Sequence, residues 1–179
     1  MLDELDDGVG KHGASAMNES VVTRGRPHGG VAIVWNKRIQ CKVSPVELKS
    51  KRMCAVTIDL EDKVILLVCV YMPCDDRCLH LNLMEFNYIL NALDILMNEV
   101  DAEYVCIGGD FYTDLDRLTQ TQALINFTND ANLYLCANDP SSSVQYSFCS
   151  KGTGAKSLID HFILSENISK LTLYDPVDL

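Results

Sequence analysis

The sequence lacks several features that mark specialised classes of protein. It is short of basic residues, with 15 Lys and Arg against 25 Asp and Glu, and its formal net charge is -10. So acidic a chain repels polyanions, which argues weakly against strong nonspecific binding of nucleic acid. No apolar run is long enough to cross a membrane, and the acidic first ten residues do not resemble a secretory signal. The sequence therefore predicts an intracellular protein with no membrane partner.

The eight cysteines do not form a metal-binding pattern. Cys74 and Cys78 are the closest pair, but no second Cys or His pair completes a zinc site. Cys54, Cys69 and Cys106 lie within apolar segments and are interpreted as small buried side chains. Without a secretory signal, the thiols are expected to stay reduced.

The chain has enough apolar residues to bury one core. Of its 179 residues 47% are hydrophobic and 22% are charged, as in an ordinary globular domain. Residues 1–24 carry many Gly, Asp and Ser without periodicity, which predicts a loose N-terminal segment. Residues 25–179 are assigned to one domain.

Hydrophobic periodicity predicts strands interleaved with helices. Apolar residues at three- and four-residue spacing predict a long amphipathic helix over residues 81–100, and a shorter helix is predicted over residues 119–127. The apolar, β-branched segment at residues 64–71 is expected to be a central strand covered on both faces. Other strands are expected at residues 31–35, 52–60, 104–107, 133–136, 146–149 and 158–164. This order suits a layered α/β sandwich with mixed sheets, and no glycine fingerprint indicates a dinucleotide-binding fold.

The segment Ile107–Phe111 is the first candidate for chemistry. A predicted strand ends in Gly108 and Gly109, which would let the backbone turn tightly beside a ligand, and Asp110 follows. Ligand sites in α/β folds favour strand ends. An aspartate at this point could equally cap the next segment.

Polar side chains also mark two other predicted strands. Tyr71 ends a strand before Pro73, and its hydroxyl could donate to a phosphate, although a strand-end aromatic is more often structural. Asp160 lies in an apolar segment, where a buried acid needs a partner such as histidine. His161 is adjacent, but neighbours on a strand point to opposite faces, so His161 is expected to pack as a structural ring.

A fourth segment combines positive charge with glycines ahead of the first predicted strand. Arg24 and Arg26 supply the charge, and Gly29 and Gly30 supply backbone freedom. The segment could contact a phosphate backbone, or it could be a surface loop.

Taken together and in this order, these segments resemble the endonuclease/exonuclease/phosphatase family. More narrowly, they resemble the endonuclease domain of LINE-type (non-LTR) retrotransposons. The resemblance rests on GRPHGGVAIVW, VYMPCDDR, IGGDFYTDL and YSF with SLIDHFILS, and it covers about residue 10 to the end. It implies two packed mixed sheets flanked by helices, and Mg²⁺-dependent hydrolysis of a phosphodiester in DNA.

The family motifs imply roles for individual residues of this chain. Asp110 matches the aspartate of a Gly-Asp-x-Asn motif, which orients or deprotonates the attacking water, and it is a weak candidate for a metal ligand. Tyr71 matches the phosphate-contacting tyrosine of a Tyr-x-Pro motif. Asp160 matches the aspartate that orients a catalytic histidine. Ser147 stands where a threonine near the scissile group is common, and Arg26 is a candidate for binding the substrate.

The chain departs from the family pattern at several catalytic positions. Tyr112, which would face the substrate, replaces the asparagine of Gly-Asp-x-Asn with a larger phenol. The strands expected to carry an active-site asparagine and a metal-binding glutamate do not precede Gly29. The expected Ser-Asp-His motif is not reached before Leu179. The resemblance therefore predicts a partial domain in which Asp160 is a buried acid without its partner.

Three functions stay open on these grounds. The first is a fragment of a retrotransposon endonuclease, impaired or inert because losses of catalytic groups typically cost several orders of magnitude in rate. The second is a noncatalytic binding module on the same scaffold, against which the acidic charge argues modestly if the partner is DNA. The third is a residual phosphoesterase, against which the missing glutamate and histidine argue directly.

Overall fold

A computed structural model describes residues 7–15, 29–74, 79–113, 118–139, 144–166 and 168. The described elements are strands interleaved with two helices. In chain order the strands are β1 (Val9–Ala14), β2 (Val31–Asn36), β3 (Lys42–Val46), β4 (Met53–Leu60), β5 (Lys63–Tyr71), β6 (Tyr104–Asp110), β7 (Leu133–Leu135), β8 (Phe148–Cys149), β9 (Lys156–Ser157) and β10 (Asp160–Ser165), and the helices are α1 (Leu79–Glu99) and α2 (Leu118–Asp130).

A six-stranded mixed sheet organises the fold. Its strand order is β3-β4-β5-β6-β10-β7, and two smaller sheets pair β1 with β2 and β8 with β9. β5 and β6 run parallel and are joined through α1, as a parallel pair requires a crossover connection. The other neighbours in the large sheet are antiparallel. The predicted layered α/β architecture is confirmed; the large sheet is mixed, and the two smaller sheets are antiparallel.

The large sheet has apolar side chains on both faces. One face packs against the helices in the main core, where Leu66, Phe86 and Leu124 are fully buried. On the other face, β2 packs over β4 and β5 and buries Val31 and Ile33 in a second core. The strand predicted at residues 64–71 is therefore covered on both faces, although its second face is only partly buried.

The prediction of a loose segment over residues 1–24 is wrong for Val9–Ala14. These residues form β1 and pair with β2 along their whole length. Periodicity missed the strand because its sequence, VGKHGA, offers too few apolar side chains to alternate. β1 contains neither asparagine nor glutamate, so it supplies neither residue that the resemblance places upstream. The domain boundary after residue 24 stays a prediction.

Other elements follow the predictions with several corrections. β3 is not among the predicted strands, and the strand predicted at residues 146–149 forms only at Phe148–Cys149. Both helices are confirmed with small shifts at their ends, and none of the described helices is long and apolar enough to span a membrane. β4 is not half-buried throughout, because Met53–Val56 is buried on both faces. The strand predicted at residues 158–164 begins two residues later, as β10 (Asp160–Ser165), and β9 (Lys156–Ser157) precedes the predicted range. Of the three cysteines that the sequence predicted to be buried, Cys54 is fully buried, whereas Cys69 and Cys106 are partly exposed free thiols.

Candidate active site

Three of the sequence-predicted site residues lie in one row across the large sheet. Tyr71, the last residue of β5, is in register with Asp110, the last residue of β6. Asp110 is in turn directly opposite Asp160, the first residue of β10. Residues in register on neighbouring strands point to the same face of a sheet. The row therefore brings a phenol and two carboxylates together at the carboxyl ends of two parallel strands, where α/β folds place ligands.

β6 does not end at its glycines, as the sequence predicted, but continues through them to Asp110. A Cβ atom added to Gly109 would lie 2.0 Å from the carbonyl oxygen of Val70, and one added to Gly108 would lie 2.7 Å from the ring of Phe162. The two glycines thus allow a close approach of β5 and of an aromatic ring, and they do not form a turn. This packing places Asp110 level with Tyr71.

Asp110 is half-buried, and its environment favours the protonated carboxyl. Burial is the main reason why the pKa of Asp110 is raised, and the Asp160 carboxylate opposite raises it further. A hydrogen bond from the Tyr112 N–H to Asp110 Oδ1, at 3.0 Å, acts in the other direction. A carboxylate with a raised pKa is better suited to accept a proton from water near neutral pH.

Replacing Asp110 with asparagine is expected to stabilise the fold at neutral pH by less than about 1 kcal/mol, because solvent screens a half-buried charge. The amide oxygen can keep the bond to the Tyr112 N–H. Since the folded pKa of Asp110 is raised, the unaltered protein gains stability as the pH falls through that pKa, and the advantage of asparagine should shrink. Urea unfolding at neutral and mildly acidic pH measures this, with the exposed Asp101→Asn as control. An advantage that is the same at both pH values would contradict the raised pKa.

Asp160 is not the buried acid that the sequence predicted. Its side chain is exposed, whereas that of His161 is buried, with a relative exposure of 2%. The two side chains do point to opposite faces as predicted, but the core lies on the side of His161. Because water solvates the Asp160 carboxylate, the predicted cost of an orphaned buried acid does not arise.

His161 packs as the structural ring that the sequence predicted. Its Nε2–H donates to the carbonyl oxygen of Thr113, with the two atoms 2.7 Å apart. Its ring centroid lies 5.8 Å from that of Phe111. These contacts tie the segment after Asp110 to β10, so His161 supports the site from inside the core.

The Tyr112 hydroxyl forms a hydrogen bond with the Tyr71 hydroxyl. The two hydroxyl oxygens are 3.2 Å apart, and the ring centroids are 5.7 Å apart with the planes at 72°. This hydrogen bond, and then burial, raise the pKa of Tyr112. Tyr112 has a φ of 50°, in the left-handed region that bulky residues rarely adopt. The Tyr71 hydroxyl, which the resemblance implies contacts a phosphate, therefore lies at hydrogen-bond distance from a neighbouring hydroxyl, and either oxygen could be the donor.

An ion pair that the sequence did not reveal supports Tyr71. Arg52 Nε and Nη2 donate to the two Glu85 carboxylate oxygens at 2.7 and 3.3 Å. Arg52 Nη1 donates to the Tyr71 carbonyl oxygen at 3.3 Å, and the guanidinium carbon lies 5.6 Å from the Tyr71 ring centroid. The two charged residues are 33 positions apart, and neither belongs to a motif, so no sequence signal could have paired them.

Ser147 lies next to Asp160 and uses its side chain within the protein. Its Oγ accepts hydrogen bonds from the backbone N–H groups of Ile159 and Asp160, at 3.1 and 3.0 Å. In this arrangement Ser147 positions the start of β10. Arg26 lies outside the described residues, so its substrate-binding role stays a prediction.

The described residues do not by themselves fit a Mg²⁺ site. Among them, no group of three or more His, Cys, Asp or Glu side chains could hold a metal ion. Asp110 and Asp160 are two carboxylates in register, but one Asp110 oxygen already accepts a hydrogen bond. Mg²⁺ requires a near-octahedral set of oxygen ligands, so a site on this row would need ligands beyond these two side chains.

Comparisons of sequence do not place the chain in a family. No protein-family model matches it, and no curated protein matches it.

Solved structures share the fold. The endonuclease domain of TRAS1, a telomere-specific non-LTR retrotransposon, matches with a TM-score of 0.68 and 14% identity, over 92% of this chain and 70% of that one. The 3' phosphatase NExo from Neisseria, bound to a product DNA hairpin, matches with a TM-score of 0.61 and 14% identity, over 91% and 69%. An endonuclease/exonuclease/phosphatase family protein from Leptotrichia buccalis C-1013-b matches with a TM-score of 0.57 and 16% identity, over 92% and 62%. The chain thus has the endonuclease/exonuclease/phosphatase fold, which the retrotransposon endonuclease domain shares.

Proposed function

We propose that this chain carries the scaffold of a DNA phosphodiester-cleaving enzyme, with its reaction centre at the row of Tyr71, Asp110 and Asp160. The observation that supports this most is the register itself, because three residues from separate motifs meet at one sheet edge. The fold that the chain shares with the TRAS1 endonuclease domain and with NExo supports it too.

In this proposal Asp110 is the group that receives the proton of the attacking water. Its Oδ1 accepts the Tyr112 N–H, which leaves Oδ2 to face the water. The Tyr71 hydroxyl donates to an oxygen of the scissile phosphate, and its oxygen can at the same time accept from the Tyr112 hydroxyl. Burial, and to a smaller extent the Asp160 carboxylate on the neighbouring strand, raises the pKa of Asp110.

The Mg²⁺ that the resemblance implies would, when bound, stabilise charge on the pentacovalent phosphate. The described residues do not supply its ligand set, so none of the steps above depends on it. Titration calorimetry with MgCl₂ tests the ion directly. Binding at sub-millimolar concentration that Asp110→Asn abolishes would show that this row does take part in a metal site.

We further propose that the 179-residue chain cleaves DNA very slowly or not at all. The Tyr112 hydroxyl is hydrogen-bonded to the Tyr71 hydroxyl, and Tyr112 takes the position where the resemblance implies a smaller carboxamide. The described residues also lack a metal-binding cluster. Each such change in an active site typically costs several orders of magnitude in rate, and the costs are not additive.

Incubation of supercoiled plasmid with the chain and Mg²⁺ or Mn²⁺ tests this. We expect at most a trace of nicked product, the same for the unaltered chain, for Asp110→Ala and for the exposed control Asp101→Ala. Nicking that Asp110→Ala abolishes and Asp101→Ala retains would overturn the proposed impairment, and it would establish Asp110 as a catalytic residue.

A noncatalytic binding module on the same scaffold is the second candidate. The Tyr71–Tyr112 hydrogen bond favours it, because it gives the Tyr71 hydroxyl a partner without a substrate. Binding of a labelled oligonucleotide, measured by fluorescence anisotropy, separates a chain that binds nucleic acid without cleaving it from one that does neither.

A further inference from the structure

A cavity of about 520 Å³ lies beside Tyr71, and the chemistry proposed above does not use it. One wall is formed by the segment between β3 and β4, which includes Lys49, Lys51 and Arg52. The other wall is formed by α1, which contributes Glu85 and Tyr88, and Tyr71 itself lines the cavity. The cavity is therefore continuous with the residue proposed to contact the scissile phosphate.

Two of the three cations in this cavity are available to a ligand. Arg52 is neutralised by Glu85, at 2.7 Å. Lys49 and Lys51 are exposed, and neither forms an ion pair with another residue in the described ranges. The charge of the cavity lining is therefore positive, although the net charge of the chain is -10. Lysine binds phosphate as a point charge on a flexible stem, which suits an extended phosphate backbone.

An exposed aromatic ring faces solvent from the α1 wall. Tyr88 has a relative exposure of 72%, so its ring contributes little to the core. A positive groove beside an exposed aromatic ring is how proteins hold single-stranded nucleic acid without reading its sequence, because every base has a face on which a ring can stack. The cavity combines both features next to Tyr71.

We propose that this cavity binds the single-stranded nucleic acid that flanks the scissile phosphate, with Lys49 and Lys51 on its phosphates and Tyr88 stacked on a base. This rests on the proposed function, since Tyr71 must contact the scissile phosphate for the neighbouring nucleotides to enter the cavity. Arg52, fixed by Glu85, is a positioning residue that supports Tyr71 between the two sites.

The test is fluorescence anisotropy with a labelled oligothymidylate, without divalent metal, over a series of NaCl concentrations. For Lys49→Gln/Lys51→Gln we expect weaker binding and a salt slope that is smaller by about 1.4, since each phosphate contact on a single strand contributes about 0.7. Tyr88→Ala should weaken binding by about fivefold or more, whereas Tyr88→Phe, which keeps the ring, should bind as the unaltered chain does.

The matched control is Lys42→Gln/Lys63→Gln. It removes the same charge at the opposite end of the sheet, where Lys42 pairs with Asp59 and Lys63 begins β5. An equal loss in both double variants, or no effect of Tyr88→Ala, would overturn the cavity as the binding site while leaving the proposed function in place. A chain that binds no oligonucleotide even at low salt would overturn both this proposal and the proposed DNA substrate.

Discussion

Replacing Phe111 with alanine is expected to lower the free energy of unfolding by about 3 to 5 kcal/mol. Phe111 is fully buried in the main core and directly follows Asp110. Its ring packs beside His161, and its N–H donates to the carbonyl oxygen of Ile159 at 2.8 Å. Truncation removes the whole buried ring and leaves a cavity, which the surrounding strands can close only in part.

The control for this prediction is the same truncation at Phe148, whose side chain is 49% exposed on β8. Phe148→Ala should change the free energy of unfolding by about 0.5 kcal/mol or less, as surface substitutions do. Urea unfolding followed by circular dichroism measures both variants. Equal losses in the two would mean that Phe111 does not anchor the strand end that carries Asp110.

Replacing Gly109 with alanine is expected to destabilise the fold by about 3 kcal/mol or more, at the upper end of what overpacking costs. The added Cβ would lie 2.0 Å from the carbonyl oxygen of Val70, which is backbone and cannot rotate away. β5 and β6 would have to separate at the point where Tyr71 and Asp110 lie side by side. The site should therefore lose its geometry together with its stability.

Gly152→Ala is the matched control, because nothing lies within 4 Å of a Cβ built on Gly152. The two variants differ from the natural chain by one methyl group each, and urea unfolding compares them directly. If Gly109→Ala unfolds at the same urea concentration as Gly152→Ala, then β5 and β6 do not approach as closely as the structure places them.

The fold class and most of the elements were predictable because local patterns determine them. The period of apolar residues identified the long helix, and the apolar segment at residues 64–71 identified the central strand. β1 was not predicted, because its extended conformation depends on pairing with β2. Its sequence of mainly glycines and polar residues has no apolar period of its own.

The candidate site was predictable in its members and not in its arrangement. Tyr71 and Asp110 were singled out by their places at the ends of apolar segments, Asp160 by its place within one, and all three by the family motifs. Their meeting in one row depends on the register of β5, β6 and β10, which joins residues far apart in the chain. The Arg52–Glu85 pair and the Tyr71–Tyr112 bond depend on the same distant contacts.

By itself, the sequence determined that the chain forms an α/β sandwich and that its polar strand ends are the candidates for chemistry, because periodicity and motif order are local properties. Only the tertiary structure decided that His161 and not Asp160 is buried, and that Gly108 and Gly109 make room for neighbours and do not form a turn. The physical reason is the same in both cases. Alternation shows which side chains share a face, but only the packed sheet shows which face is covered and what approaches it.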